Sequence, residues 1–165
     1  MRHSNPIDFL AILRVLCAHL VDFIVVGGVS AVLQGAPINT FDLDIVHSRD
    51  ESNIARLLDA LNELDAIYRA QPERQLRPAA SHLASRGHQL LMTRFGPLDV
   101  LGTIGNSREY ASLLPSCIEA LLDTGMPIRI LDLAVLVEVK SEVGAPKDTA
   151  VLPILQQTLE ERRRR

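Results

Sequence analysis

The sequence predicts an α/β fold: a small, mixed, twisted sheet with helices packed on it. Three observations point there. Residues 23–26 form a short, β-branched apolar run that ends in the glycine pair Gly27-Gly28. Residues 40–47 form a second strand-like run, in which Asp42 and Asp44 stand two apart between apolar neighbours. Residues 50–64 place Ile54, Leu57, Leu58 and Leu61 at helical spacing. Strand and helix patterns alternate along a chain of 165 residues, long enough for one compact domain with a sizeable core. With no Pro/Gly/Ser linker to divide it, residues 1–165 read as a single domain with C-terminal helices over 132–165.

The elements follow in order. Residues 6–20 read as an amphipathic helix with Ile7, Leu10, Leu13, Cys17 and Leu20 on one stripe, Asn5 as N-cap and Pro6 in the first turn. After the first strand, residues 29–34 form a short helix closed by Gly35. Residues 66–70 suit a short strand, and 71–88 a polar loop, mobile or facing substrate. Residues 89–95 and 98–101 flank Gly96-Pro97 and read as a hairpin. Residues 107–114 and 116–123 read as helical turns, and 127–131 as the last strand. Asp132 caps a helix to about Val143, Gly144-Ala145-Pro146 breaks it, and a final helix runs from about Lys147.

Composition narrows the function classes. Hydrophobic residues make up 47% and charged residues 22%, too apolar for disorder. Aromatics are only 4% with no Trp, which argues against a stacking platform for single-stranded nucleic acid. A net charge of −3 gives no electrostatic footprint for non-specific nucleic-acid binding. Cys17 and Cys117 lack zinc-site spacing and read as core thiols in a reducing compartment. No signal peptide is visible, and no apolar run approaches the roughly 18 residues of a membrane span. A cytoplasmic protein without membrane contact is therefore expected.

The chemistry lies in the carboxylates. Residues two apart on a strand share a face, so Asp42 and Asp44 project together. Asp99 sits between Leu98 and Val100 in an apolar strand and joins them if the strands pair. Three carboxylates on one face repel unless a cation lies between them, which suits one or two Mg2+ ions beside nucleotide phosphates. A glycine turn leaves backbone N–H groups open to a phosphate, and a helix start adds partial positive charge. Either a tight turn or a phosphate cradle fits the glycine pair alone.

Taken in order, the glycine pair, Ser30, Asp42-x-Asp44 and the lone Asp99 resemble the nucleotidyltransferase fold of the polymerase-β superfamily. Within it the chain looks like the minimal bacterial nucleotidyltransferases of the AbiEii toxin type. The stretch from Val139 to Asp148, with Lys140 and the turn Gly144-Ala145-Pro146-Lys147-Asp148, is similar to theirs, so the resemblance covers about residues 20–155. It implies that Gly27, Gly28 and Ser30 cradle phosphates. It implies that Asp42 and Asp44 bind metal, completed by Asp99 as ligand and general base. Lys140 and Lys147 would neutralise phosphate or the leaving pyrophosphate. One departure is that Ile38 and Asn39 stand where such proteins often carry an arginine.

Lys140 also has its own argument. It continues the apolar stripe of Leu133, Leu136 and Val137, so its charge needs an anion: bound phosphate, or Asp148 or Glu138 in a structural role. None of the five histidines pair at ligand spacing, although His47 follows the Asp-x-Asp strand. Arg162 to Arg165 reads as a solvated tail at a helix C-terminus. The expectation is a Mg2+-dependent transfer of a nucleoside monophosphate from an NTP to a hydroxyl of a protein, RNA or small molecule. The alternative is a non-catalytic nucleotide- or partner-binding module with a toxin–antitoxin or phage-defence partner. A metal-dependent nuclease or phosphatase fits the carboxylates but not the glycine–serine turn.

Overall fold

The computed structural model describes residues 6–165, with Thr124 described by its backbone alone. Helix α1 (Phe9–Ala18) leads into strand β1 (Phe23–Val26), helix α2 (Gly27–Leu33), strand β2 (Leu43–His47) and helix α3 (Glu51–Glu63). Strand β3 (Ile67–Tyr68), helix α4 (Ala80–Ala84), strand β4 (His88–Thr93) and strand β5 (Gly96–Leu101) follow. Helix α5 (Tyr110–Leu113), strand β6 (Cys117–Leu122), strand β7 (Met126–Leu131) and helices α6 (Leu133–Val143) and α7 (Pro146–Arg163) complete the chain.

The strands form one seven-stranded mixed sheet in the order β3-β4-β5-β2-β1-β7-β6. β2 runs parallel to β5 and β1 parallel to β7, while the β1–β2, β3–β4, β4–β5 and β6–β7 pairs are antiparallel. Side-chain alternation then divides the core in two. Val25, Leu43, Ile45, Leu98 and Val100 face α1 and α3, where they meet Ile12, Leu16, Leu57 and Leu61. Ile24, Val26, Val46 and Leu101 face α2, α6 and α7, where they meet Ala31, Leu133, Leu136 and Leu155. Each fully buried Leu or Ile side chain contributes roughly 1.5–3 kcal/mol. Asp44 and Asp99 have the parity of Val46 and Leu101, so they project toward the α2–α6–α7 side.

Several elements differ from expectation. α1 starts at Phe9 with Asp8 as its N-cap, whose carboxylate accepts the Ala11 N–H at 3.0 Å; Asn5 lies outside the described residues. The buried face of α1 is Ile12, Leu13 and Leu16, leaving Ile7 and Leu20 exposed. α2 begins at Gly27 itself, with no intervening loop. The segment 71–88 is not one loop: it contains α4, pinned by the fully buried Leu83. The hairpin turns at Arg94-Phe95, two residues before Pro97, because Thr93 pairs with Gly96. The largest correction is residues 117–122, expected as a helical turn and found as β6, paired along its length with β7. Ile118 and Leu121-Leu122 fit helical spacing as well as alternation, and the partner strand decides between them. Among the described residues, no helix is long and apolar enough to cross a membrane.

Candidate active site

The glycine pair, β2 and β5 converge at one end of the sheet. Asp44 is the register partner of Asp99 on the adjacent parallel strand, and Asp42 lies two residues before Asp44. Carboxylate oxygens of Asp42, Asp44 and Asp99 lie within 4.8 Å of one another. The two glycines permit this approach. Gly27 holds a left-handed φ of +65°, and a Cβ there would run into the Asp44 carboxylate. A Cβ on Gly28 would stand 2.7 Å from the Thr40 hydroxyl, which itself donates to the Asp42 carbonyl at 3.1 Å and shapes the entry to β2. The strand–glycine–helix turn is therefore packed directly against the Asp-x-Asp stretch.

Crowding in a half-buried place raises the proton affinity of Asp42 and Asp44. Burial pushes the Asp44 carboxyl up, with the charges of Asp42 and Asp99 adding to it, to about 8. Burial and then Asp99 raise Asp42 as well, while Arg69 and Lys147 pull the other way. Arg69 was missed in the sequence. Its Nη1 lies 2.7 Å from Asp99 Oδ1, and Asp99 holds the guanidinium still more firmly protonated. That contact is an ion pair without hydrogen-bond alignment, and an Nη1 N–H donates to the Leu91 carbonyl, 3.0 Å away. Asp99 Oδ1 is thus a buried oxygen with a cation beside it and no aligned donor.

These features test the fit of a divalent ion. Three hard oxygen donors converge, and one buried lone pair lacks a donor. Mg2+ fits that donor set; a soft or nitrogen-preferring metal does not.

A cleft of about 180 Å³ opens beside the carboxylates, lined by Gly27, Asp44, Leu101, Ile104, Lys140 and Lys147. The two lysines reach it from either side of the Gly144 break. Lys140 Nζ bonds Asp148 Oδ1 at 2.9 Å, and the two side chains are only 19% and 11% exposed. Lys140, on the apolar stripe of its helix, therefore has its anion in Asp148 while still bordering the cleft. Lys140 lowers the Asp44 pKa by its charge, so it also acts on the carboxylates.

Ser30 departs from its expected role. It is fully buried, and its hydroxyl donates to the Leu131 carbonyl at 2.7 Å and accepts from Gln34 Nε2 at 3.1 Å. It ties α2 to β7 and has no hydroxyl left to offer a phosphate. His47, at the far end of β2 from the carboxylates, is buried with Nε2 donating to the Leu83 carbonyl at 2.8 Å. Cys17 and Cys117 are free and half-buried. Arg162 of the arginine tail folds back to donate to Gln34 at 3.0 Å.

The same arrangement of strands and helices recurs among solved structures. A provisionally assigned nucleotidyltransferase of Thermotoga maritima, TM1012, superposes with a TM-score of 0.57 at 19% identity, covering 98% of this chain and 99% of that one. ANT(2'')-Ia in complex with adenylyl-2''-tobramycin superposes with a TM-score of 0.58 at 15% identity, covering 92% and 87%. This chain has the nucleotidyltransferase fold. The solution structure of ANT(2'')-Ia agrees, with a TM-score of 0.59 at 14% identity over 92% and 82%. No family profile matches the chain, and no curated relative does. At these identities the likeness speaks for the fold, and the chemistry rests on the carboxylates, glycines and lysines described above.

Proposed function

We propose that the chain is a Mg2+-dependent nucleotidyltransferase, moving a nucleoside monophosphate from an NTP to a hydroxyl of a protein, RNA or small molecule. The observation that carries this reading is the convergence of Asp42, Asp44 and Asp99 against the Gly27-Gly28 turn. In the transfer, the acceptor oxygen forms a bond to the α-phosphorus and the bond to the β-phosphate oxygen breaks. Pyrophosphate leaves, and the hydroxyl proton passes to Asp99.

Asp42, Asp44 and Asp99 would hold the ion or ions, which supply charge neutralisation at the phosphates and acidify the attacking hydroxyl. The chain's own residues do the rest by position and charge. Gly27 and Gly28 keep the turn free of side chains where phosphates would lie against it. Lys140 and Lys147 border the same cleft and would take up the charge of the triphosphate and of the pyrophosphate. Ser30 contributes by fixing α2, and through it the turn, against β7. On this reading residues 1–165 work as one nucleotidyltransferase-like unit, with 132–165 closing the nucleotide side. The AbiEii-type resemblance belongs to the same proposal, whereas a toxin–antitoxin partner belongs to the alternative, a non-catalytic binding module.

The test is purified protein with Mg2+ and each of the four NTPs labelled at the α-phosphate, with cell extract as acceptor source. Label should move to an acceptor in the wild type and stay on the NTP with Asp42→Ala or Asp44→Ala. Equal transfer by those variants would sink the reading.

A further inference from the structure

Arg69 is the one side chain in ion-pair contact with the carboxylates among the described residues. It follows β3 directly, and its backbone N–H donates to the Leu90 carbonyl at 3.1 Å. Leu90 is the residue paired with Asp99 across the β4–β5 hairpin, so Arg69 is moored next to its target. From there the side chain crosses β4, donates to the Leu91 carbonyl at 3.0 Å and stands 2.7 Å from Asp99 Oδ1. That oxygen is the buried one without an aligned donor.

A divalent ion bound to the same oxygen would sit about 2.1 Å from it. The guanidinium and the ion would then be about 4 Å apart, where a dication and a cation repel strongly enough, even at the dielectric of water, to cost more than about tenfold in affinity. One carboxylate oxygen therefore has two competing cations, one of them tethered. The geometry points to Arg69 as a gate on metal occupancy: it serves as the resident counter-ion of Asp99, and Asp99 takes a metal only when Arg69 leaves. The negative charge of an arriving NTP gives the guanidinium a new partner, so metal and nucleotide enter together. This rests on the proposed nucleotidyl transfer and adds an order to its assembly.

The test is a titration of the full chain at pH 8 with Mn2+ alone, read by calorimetry and by the Mn2+ EPR signal. Arg69→Gln should bind Mn2+ at least tenfold more tightly than wild type, and Arg69→Lys should stay within about threefold of wild type. Equal or weaker binding by Arg69→Gln assigns Arg69 a structural role and overturns the gate, leaving the proposed function standing. No binding by any of the three proteins overturns the gate, and the proposed function, in which metal arrives with nucleotide, then stands or falls by the transfer assay. A readout on the wild type covers the case in which Arg69→Gln does not fold. The Arg69 Nε–H resonance, assigned by its loss in Arg69→Lys, should shift as Mg2+ and a non-hydrolysable NTP saturate the protein. A resonance that stays in place at saturation overturns the gate.

Discussion

Asp44→Asn should stabilise the metal-free protein, and the gain should grow with pH. The Asp44 carboxyl is pushed to about 8 in the folded chain, from an ordinary value of 3.8, mainly by burial and then by Asp42 and Asp99. A raised folded value means that the folded state binds the proton more tightly than the unfolded one. Stability is therefore intact below about pH 4 and falls as the pH rises toward 8, by at most about 1.4 kcal/mol per unit. At pH 7 the deficit spans about three units, on the order of 4 kcal/mol. Asparagine removes the titration and keeps the shape. For a chain of this length each kcal/mol moves Tm by about 2–4 °C, so the variant should melt on the order of 10 °C above wild type at pH 7 in chelator. The gap should nearly close at pH 4. Saturating Mg2+ should lift the wild type and leave Asp44→Asn unmoved, because the ion supplies the charge that the cluster lacks. Thermal melts followed by circular dichroism across pH 4–8, with chelator or Mg2+, provide the measurement. A variant no more stable than wild type at pH 7, or one whose advantage is the same at pH 4, would refute the account of Asp44 as a strained carboxylate.

Three other outcomes can be checked the same way. Gly27→Ala places a Cβ against the Asp44 carboxylate at a left-handed φ of +65°, and should cost roughly 2 kcal/mol or more in melts and abolish the Mg2+-dependent rise in Tm. Ser30→Ala should cost only about 1 kcal/mol, because Gln34 Nε2 still donates to the Leu131 carbonyl at 2.8 Å, and NTP affinity by calorimetry should not change. Lys140→Met strands the Asp148 carboxylate, whose side chain is 11% exposed, and should cost roughly 3 kcal/mol; Lys140→Met with Asp148→Leu should recover most of it in denaturant unfolding.

What the sequence showed of this site depends on the range over which each signal acts. Asp42, Asp44 and Asp99 were legible because a carboxylate in an apolar, alternating strand is out of place within four residues of itself, and register brought Asp44 and Asp99 side by side. The Lys140 stripe was legible for the same reason, and so was the need for an anion, although only packing chose Asp148 over a phosphate. Ser30 misled because its position after a glycine turn is also the inward face of a short helix, and burial, not spacing, aimed the hydroxyl at Leu131. β6 was missed because its apolar residues satisfy either period until β7 lies beside it.

Arg69 marks where local reading stops. It lies thirty positions before Asp99, at the end of a stretch legible only as a short strand, and nothing nearby marks it as different from Arg74 or Arg77. The sequence does contain the demand, since three carboxylates on one face must be neutralised by something. Sequence-local signals can state such a charge requirement, but they cannot name the side chain that meets it, because the supplier is chosen by which loop the sheet order brings past β4. The same reasoning bears on function. A site whose charge is balanced by a tethered arginine differs from one balanced by solvent, since its first cation is part of the fold and its second must displace it.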